Sequence, residues 1–295
     1  MLRLIFLVTL FSFCIIGNCQ IQKKVLEFDS NKPLEFSTIL AWSGSKIIEG
    51  TYTGENGVFI LKNTIRLDSL QVSNIGYDDL IISKQDFIDN DIFYLKRSVQ
   101  NLQEIFISTK PAIDVGYIDE RNNGRKIGIG LSSNMGVYIE NSQEEHLAIR
   151  SINFKIQKVS QPMILRVKLY SVDTLQNRIY PDKILNNHDY LVKVDEQSKG
   201  LITVVMNEDL EFPYEGVFVI IEGLKFAGEP IRYKESLVEF QAFKTRENLY
   251  FYKTTHSSKY WLDYNRWAIK DYKDSFNREI PEKWLSVPLI GIIVN

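Results

Sequence analysis

The sequence predicts an all-β protein made of two consecutive β-sandwiches behind a short N-terminal leader. Two observations carry this. Short runs rich in β-branched and aromatic side chains recur along most of the chain, separated by turn residues, as strands of a sandwich do. Tyrosine (15) and phenylalanine (17) are abundant and alanine is scarce, which favours strands over helices. No coiled-coil heptad, fixed-period repeat or low-complexity tract interrupts the pattern.

Residues 1–19 read as a secretory signal peptide. Arg3 precedes an apolar run from Leu4 to Ile16, followed by the short residues Gly17, Asn18 and Cys19. The run is too short to cross a bilayer as a helix. Cleavage after Cys19 exposes Gln20; the rival is a lipoprotein site acylating Cys19, to which Asn18 is a poor fit. Mass spectrometry of the mature N-terminus separates the two. Either way the chain is expected to be exported, to the periplasm or the outer-membrane and cell surface, with no transmembrane span after signal removal. Both cysteines, Cys14 and Cys19, lie in the leader, so the exported chain has neither a disulfide nor a thiolate metal site. Arg3 is the leader's one charged side chain; without it, 34 basic residues face 37 acidic ones. That balance gives no footprint for nucleic acid or an acidic membrane surface.

Residues 20–110 form the first predicted domain. Its strand-like runs are KKVLEF, FSTILAW, KIIEGTYT, GVFIL, DSLQVSNI, DDLIIS, IFYL and LQEIFIS, with DSNKP (Asp29 to Pro33) as a turn. SKQDFIDN (Ser83 to Asn90) fits either a helical turn or a loop. In GTYTGENGVFIL, Glu55-Asn56-Gly57 lies between two alternating runs, and Asn-Gly is the strongest local hairpin signal.

These residues also carry a resemblance. Pro33-Leu34, Gly50-Thr51, Thr53, Asn56-Gly57 with Phe59, and Ser73-Ile75-Gly76-Tyr77 resemble the carboxypeptidase-regulatory-like domain, found in exported proteins of Bacteroidetes and at the N-termini of their TonB-dependent receptors. Leu102, Glu104 and Ile105 match the way family members often close. The first strand lacks the glycine the family often places there. The resemblance implies a transthyretin-like (prealbumin-like) sandwich of about seven strands, compatible with Phe59 in its core and a bend at Gly76 before Tyr77. This module accompanies carboxypeptidases and is not itself the peptidase.

Thr109 to Gly124 is polar, contains a proline and two glycines, and breaks the strand rhythm; 111–124 is read as a linker. Residues 125–295 form the second domain, expected to be a jelly-roll-like sandwich with an aromatic C-terminal tail. Alternation is clear at Ile152, Phe154 and Ile156, and again at Leu165, Val167 and Leu169. GVFVIIEGL is apolar on both faces apart from Glu222, which predicts a central strand.

The search for chemistry excludes more than it finds. None of His146, His188 and His256 lies in H-E-x-x-H, and all three are read as solvated edge residues. Glu145 and His146 would point to opposite faces of a strand. There is no G-x-S-x-G elbow, no phosphate loop and no EF-hand calcium loop, and Ser133 replaces the third glycine of a dinucleotide fingerprint after Gly128 and Gly130. No cofactor and no metal are expected. Glu222 and Glu239 are open to two readings: a glycosidase pair across a sugar ring, or buried carboxylates paired to a base such as Arg166 or Arg232. The tail from Tyr250 to Trp284 is similarly open. Its aromatics either pack inward over the end of the second sandwich or present a stacking surface, for which Tyr260, Trp261 and Trp267 are the candidates.

The expected function is that of a non-catalytic, exported envelope protein acting in binding or assembly, with envelope proteins or glycans as partners and no nucleic acid. The alternative is a carbohydrate-binding or carbohydrate-active protein that uses its second sandwich.

Overall fold

A computed structural model describes residues 21–62, 64–98, 111–122, 125–142, 147–175, 177–224 and 237–295. The leader, the closing run with Leu102, Glu104 and Ile105, and Glu145, His146 and Arg232 lie outside the described residues. The chain is all-β and divides into two compact units. One gathers the described residues up to Asn74 with Asp78–Lys96; the other holds Ile75–Tyr77 and the described residues from Arg97 to Asn295.

Among the described residues the first unit has seven strands: β1 (Ile21–Glu27), β2 (Thr38–Ser43), β3 (Lys46–Tyr52), β4 (Val58–Leu61), β5 (Ser69–Ser73), β6 (Leu80–Ser83) and β7 (Ile92–Leu95). They form a three-stranded sheet ordered β4-β1-β7 and a four-stranded sheet ordered β3-β2-β5-β6. β1 and β7 run parallel; the other pairs are antiparallel. SKQDFIDN resolves as the short helix α1 (Lys84–Asp89). Ser83 Oγ caps it by accepting from the Asp86 amide, and Phe87 is buried against Phe93, their ring centroids 6.2 Å apart.

The Asn56-Gly57 turn differs from the expected hairpin. The turn itself closes, with the Gly57 amide donating to the Gly54 carbonyl at 2.8 Å. Of its central residues only Gly57 has positive φ, at 70°, and the strands it joins enter different sheets. The reason lies in β1. The Val25 amide donates to the Gly57 carbonyl at 2.8 Å, and Val58 pairs with Lys24, so β4 joins β1 instead of folding back on β3. A Cβ on Gly57 would collide with the Val25 carbonyl oxygen, which is why glycine stands there. Thr53, fully buried, secures the same corner: its hydroxyl accepts from the Ser37 amide and donates to the Leu34 carbonyl. Pro33 bridges Leu26, Gly50 lies in β3 opposite Leu40, and Phe59 is buried in the core. Gly76 has φ of 80°, and Tyr77 bridges Arg97, whose guanidinium lies 5.3 Å over the tyrosine ring.

The second unit contains β8 (Ile113–Gly116), β9 (Lys126–Ile129), β10 (Ser133–Ile139), β11 (Leu147–Val159), β12 (Met163–Leu175), β13 (Arg178–Ile184), β14 (Tyr190–Val194), β15 (Gly200–Phe212), β16 (Val217–Leu224), β17 (Val238–Lys244), β18 (Tyr250–Thr254), β19 (Leu262–Asp263), β20 (Ser286–Pro288) and β21 (Ile290–Val294). Among the described residues they form two seven-stranded sheets. The first is ordered β13-β12-β16-β10-β18-β19, with β14 also on β12; the second is ordered β20-β17-β11-β21-β8, with β15 on β11 and β9 on β17. From β10 to β18 the long strands repeatedly change sheet, the arrangement of a jelly-roll-type sandwich. The stretch read as a linker contributes β8, whose Ile113 and Val115 pack against the core while it pairs with β21.

Alternation places the core as the sequence requires. Ile152, Phe154 and Ile156 of β11 and Leu165, Val167 and Leu169 of β12 are all fully buried in one cluster shared by the two sheets. β16 lies between β12 and β10, and all eight of its residues are buried. The aromatic tail contains a feature its composition did not announce, the helix α2 (Tyr264–Phe276). Asp263 caps it by accepting from the Arg266 amide at 3.2 Å, and Asn277 ends it in the left-handed conformation.

Candidate functional site

In β12 the residues between the core positions, Arg166, Lys168 and Tyr170, lie on the outer face of the first sheet of the second unit. Register brings Arg166 opposite Glu222 on β16, and Glu222 opposite Asn134 on β10. Such a face would ordinarily be wet, yet Glu222 is only 1% exposed and Arg166 and Lys168 are buried too. Part of the cover comes from the chain after β18. Thr255 Oγ1 donates to Glu222 Oε1 at 2.7 Å, and Trp261 packs on the outer cluster of Phe218, Ile220 and Phe251. The Trp261 ring also meets Tyr170 edge-on, centroids 6.1 Å apart.

The result is a buried network of charges. Glu222 Oε2 accepts from Lys168 Nζ at 3.1 Å and from Arg166 at 3.5 Å. Lys168 Nζ also donates to Asn134 Oδ1 at 3.0 Å. Arg166 donates to Asp189 Oδ2 at 3.0 Å; its Nε lies 2.9 Å from Asp189 Oδ1, an ion-pair contact out of line for a hydrogen bond. Burial, the largest influence, and Arg166 push the Lys168 ammonium down, but the charge and hydrogen bond of Glu222 together with Tyr170 leave it above the usual lysine value. Burial raises Asp189, against the pull of Arg166. With its two oxygens engaged by a hydroxyl and two cations, Glu222 is held as a fixed counter-ion. The pairing with Arg166 is the second of the two readings of this carboxylate.

Glu239 stands elsewhere. It lies on β17 between the core residues Val238 and Phe240, which places it on the outer face of the second sheet, 2.8 Å from Lys126. Packed sheets lie ~10 Å apart, and the two carboxylates point outward from opposite sides of the sandwich. They cannot flank one sugar ring, and the glycosidase pair is ruled out by this geometry.

Beside the network Ser132 has φ of 60°, and its Oγ lies 2.8 Å from His256 Nδ1. Burial holds His256 down, to about 4, with Glu222 pulling it part of the way back. This histidine is therefore half-buried and neutral, not the solvated edge residue expected; His188 is exposed, 3.5 Å from Glu208. A serine–histidine contact invites a nucleophile reading, but acyl transfer also needs backbone donors for an oxyanion. The Ser132 amide donates to the Gly223 carbonyl and the Ser133 amide to that of Gly130, so both are used by the fold. Among the described residues no three His, Cys, Asp or Glu side chains group as metal ligands, and no helix is long and apolar enough to cross a membrane.

The three aromatic candidates are not gathered into one platform. Tyr260 is 74% exposed, with the Lys259 ammonium 5.8 Å from its ring. Trp261 packs inward as described, with the Lys253 ammonium 5.8 Å over it. Trp267 stands on α2, 45% exposed, its ring 5.7 Å from that of Tyr264. Sequence reasoning named Glu222 and Arg166 but missed Lys168, Asn134, Asp189 and Thr255. The alternation of bases with core residues in MILRVKLYSV was the one available signal.

No family model and no curated protein matches the chain. Among solved structures, the cysteine protease and lectin-like domains of Cwp84, a surface layer associated protein of Clostridium difficile, are similar at a TM-score of 0.38 and 9% identity, over 88% of this chain. The match spans 58% of that structure's length, and a likeness at this level carries no argument.

Proposed function

We propose that this is a non-catalytic, exported protein of the cell envelope that works by binding. In this reading the first unit is a carboxypeptidase-regulatory-like module with a structural or docking role, and the second unit presents the recognised surface. The seven strands in sheets of three and four support the first part. One observation carries the second. On the outer face of the first sheet the carboxylates are locked in ion pairs, while aromatic rings of the following segment, Tyr260 and Trp267 foremost, face solvent. Exposed aromatic faces recognise sugars or partner side chains, whereas a neutralised, buried carboxylate cannot trade protons with a substrate.

The test is a screen of the purified mature chain against glycan and peptide collections, repeated with Tyr260→Ala and Trp267→Ala. Binding that either substitution weakens supports the reading. Uniformly absent binding would leave a structural role and sink it.

A further inference from the structure

We infer that the stretch from Lys253 to Trp261 binds a saccharide carrying a carboxylate, a sugar of uronic-acid type, its acid on the Lys253 ammonium and its ring against the neighbouring aromatic surface. This rests on the reading of the second unit as a binding module and specifies what it binds.

The residues supply three kinds of group. Lys253, half-buried on β18, has no ion-pair partner among the described residues, and its ammonium is fixed over the Trp261 ring. A lysine removed from water in this way normally has a carboxylate beside it. Burial and the charge of Lys168 push Lys253 below the ordinary lysine value and Glu222 offsets only part of this, so a bound anion would relieve an existing cost. A second lysine–aromatic pair, Lys259 on the exposed Tyr260, lies on the same stretch. The sequence KTTHSSKYW (253–261) contains no carboxylate; Thr255 and Ser258 are engaged by Glu222 and the Tyr260 carbonyl, and Ser257 adds an exposed hydroxyl. Cation, ring face and hydroxyl together match a sugar acid: the ammonium takes the carboxylate, the exposed Tyr260 ring takes the C–H face and the serine hydroxyl bonds a sugar hydroxyl.

Magnitudes decide against a nucleic acid. Useful affinity there comes from neutralising about six to ten phosphates, but this stretch offers two lysines on a chain of formal charge −2. An acidic peptide would satisfy the lysines and leave the ring faces without a planar partner.

The experiment titrates the full mature chain, by calorimetry and tryptophan fluorescence, with a glucuronic-acid-terminated disaccharide, its methyl ester, the neutral glucose counterpart and a tetra-glutamate peptide. The acid should bind at least ~10-fold more tightly than ester or neutral sugar, a preference that salt weakens and Lys253→Gln removes. The acid–ester comparison uses the unaltered protein and is immune to any misfolding of the variant. Equal binding of acid and neutral sugars, or tighter binding of the peptide, overturns this inference and leaves the binding reading standing. No binding by any probe here or in the wider screen overturns both.

Discussion

Replacing Glu222 with glutamine keeps the shape of the side chain and removes its charge, isolating what the buried carboxylate does. The carboxamide can still accept from Thr255, but Lys168 loses its counter-ion and Arg166 loses one of two. Lys168 is left with Asn134, and Arg166 keeps Asp189. At an effective dielectric of ~20, charges at the observed separations of 3.1 and 3.5 Å attract by about 5 kcal/mol each. Most of that is offset by the desolvation of the ions, and removing one partner of such a pair costs about 3–5 kcal/mol. For a unit of this size the loss corresponds to a fall in Tm of ~10 °C. Three of the four tryptophans, Trp261, Trp267 and Trp284, lie in the second unit, so intrinsic fluorescence follows its unfolding with Trp42 as a minor contributor. The double substitution Lys168→Met with Glu222→Leu removes charge from both sides and leaves the Arg166–Asp189 pair. It should lose less stability than Glu222→Gln alone. A single variant that falls by less than ~1 kcal/mol, the range of an exposed pair, would refute the account of the network, as would a double variant that is worse than the single.

Two more predictions concern single positions. Gly57→Ala should cost ~1–2 kcal/mol for the left-handed backbone and a further penalty for the collision with the Val25 carbonyl, whereas Gly44→Ala, with φ of 57° and open space around it, should cost the backbone part alone; equal urea midpoints for the two variants would contradict the role given to β1. His256 is lowered to about 4 from an ordinary 6.5, so the unfolded chain takes up the proton first, and the stability this group supports is full above pH 6.5 and is lost as pH falls toward 4, by about 3 kcal/mol at the limit. Urea denaturation between pH 7.5 and 4.5 should therefore show a steeper acid loss in the parent than in His256→Gln, and parallel curves would count against the buried neutral imidazole.

Much of the fold was legible because alternation and turn chemistry act over a few residues. Leu165, Val167 and Leu169 face the core because a strand turns successive side chains to opposite faces, whatever it pairs with. The same logic placed Phe59 in the core and β16 in the middle of its sheet. The helix α2 was hidden because its sequence shows no clean apolar stripe; its caps at Asp263 and Asn277 define its ends. The hairpin expectation failed for a related reason: Asn56-Gly57 specifies a turn, but which sheet receives the next strand depends on β1, about thirty residues earlier in the chain.

By itself, then, the sequence determined the strand class, the core faces and the absence of the common catalytic motifs, all properties of short windows. Tertiary structure alone decided the partners of the charges. Lys168 reaches Asn134 and Glu222 across 34 and 54 positions of sequence because the strand order β12-β16-β10 makes them neighbours. Glu222 and Glu239, 17 positions apart and equivalent on paper, end on opposite outer faces because β16 and β17 enter different sheets. Energies of charge pairs depend on distance in space and on burial, and neither is set by distance along the chain.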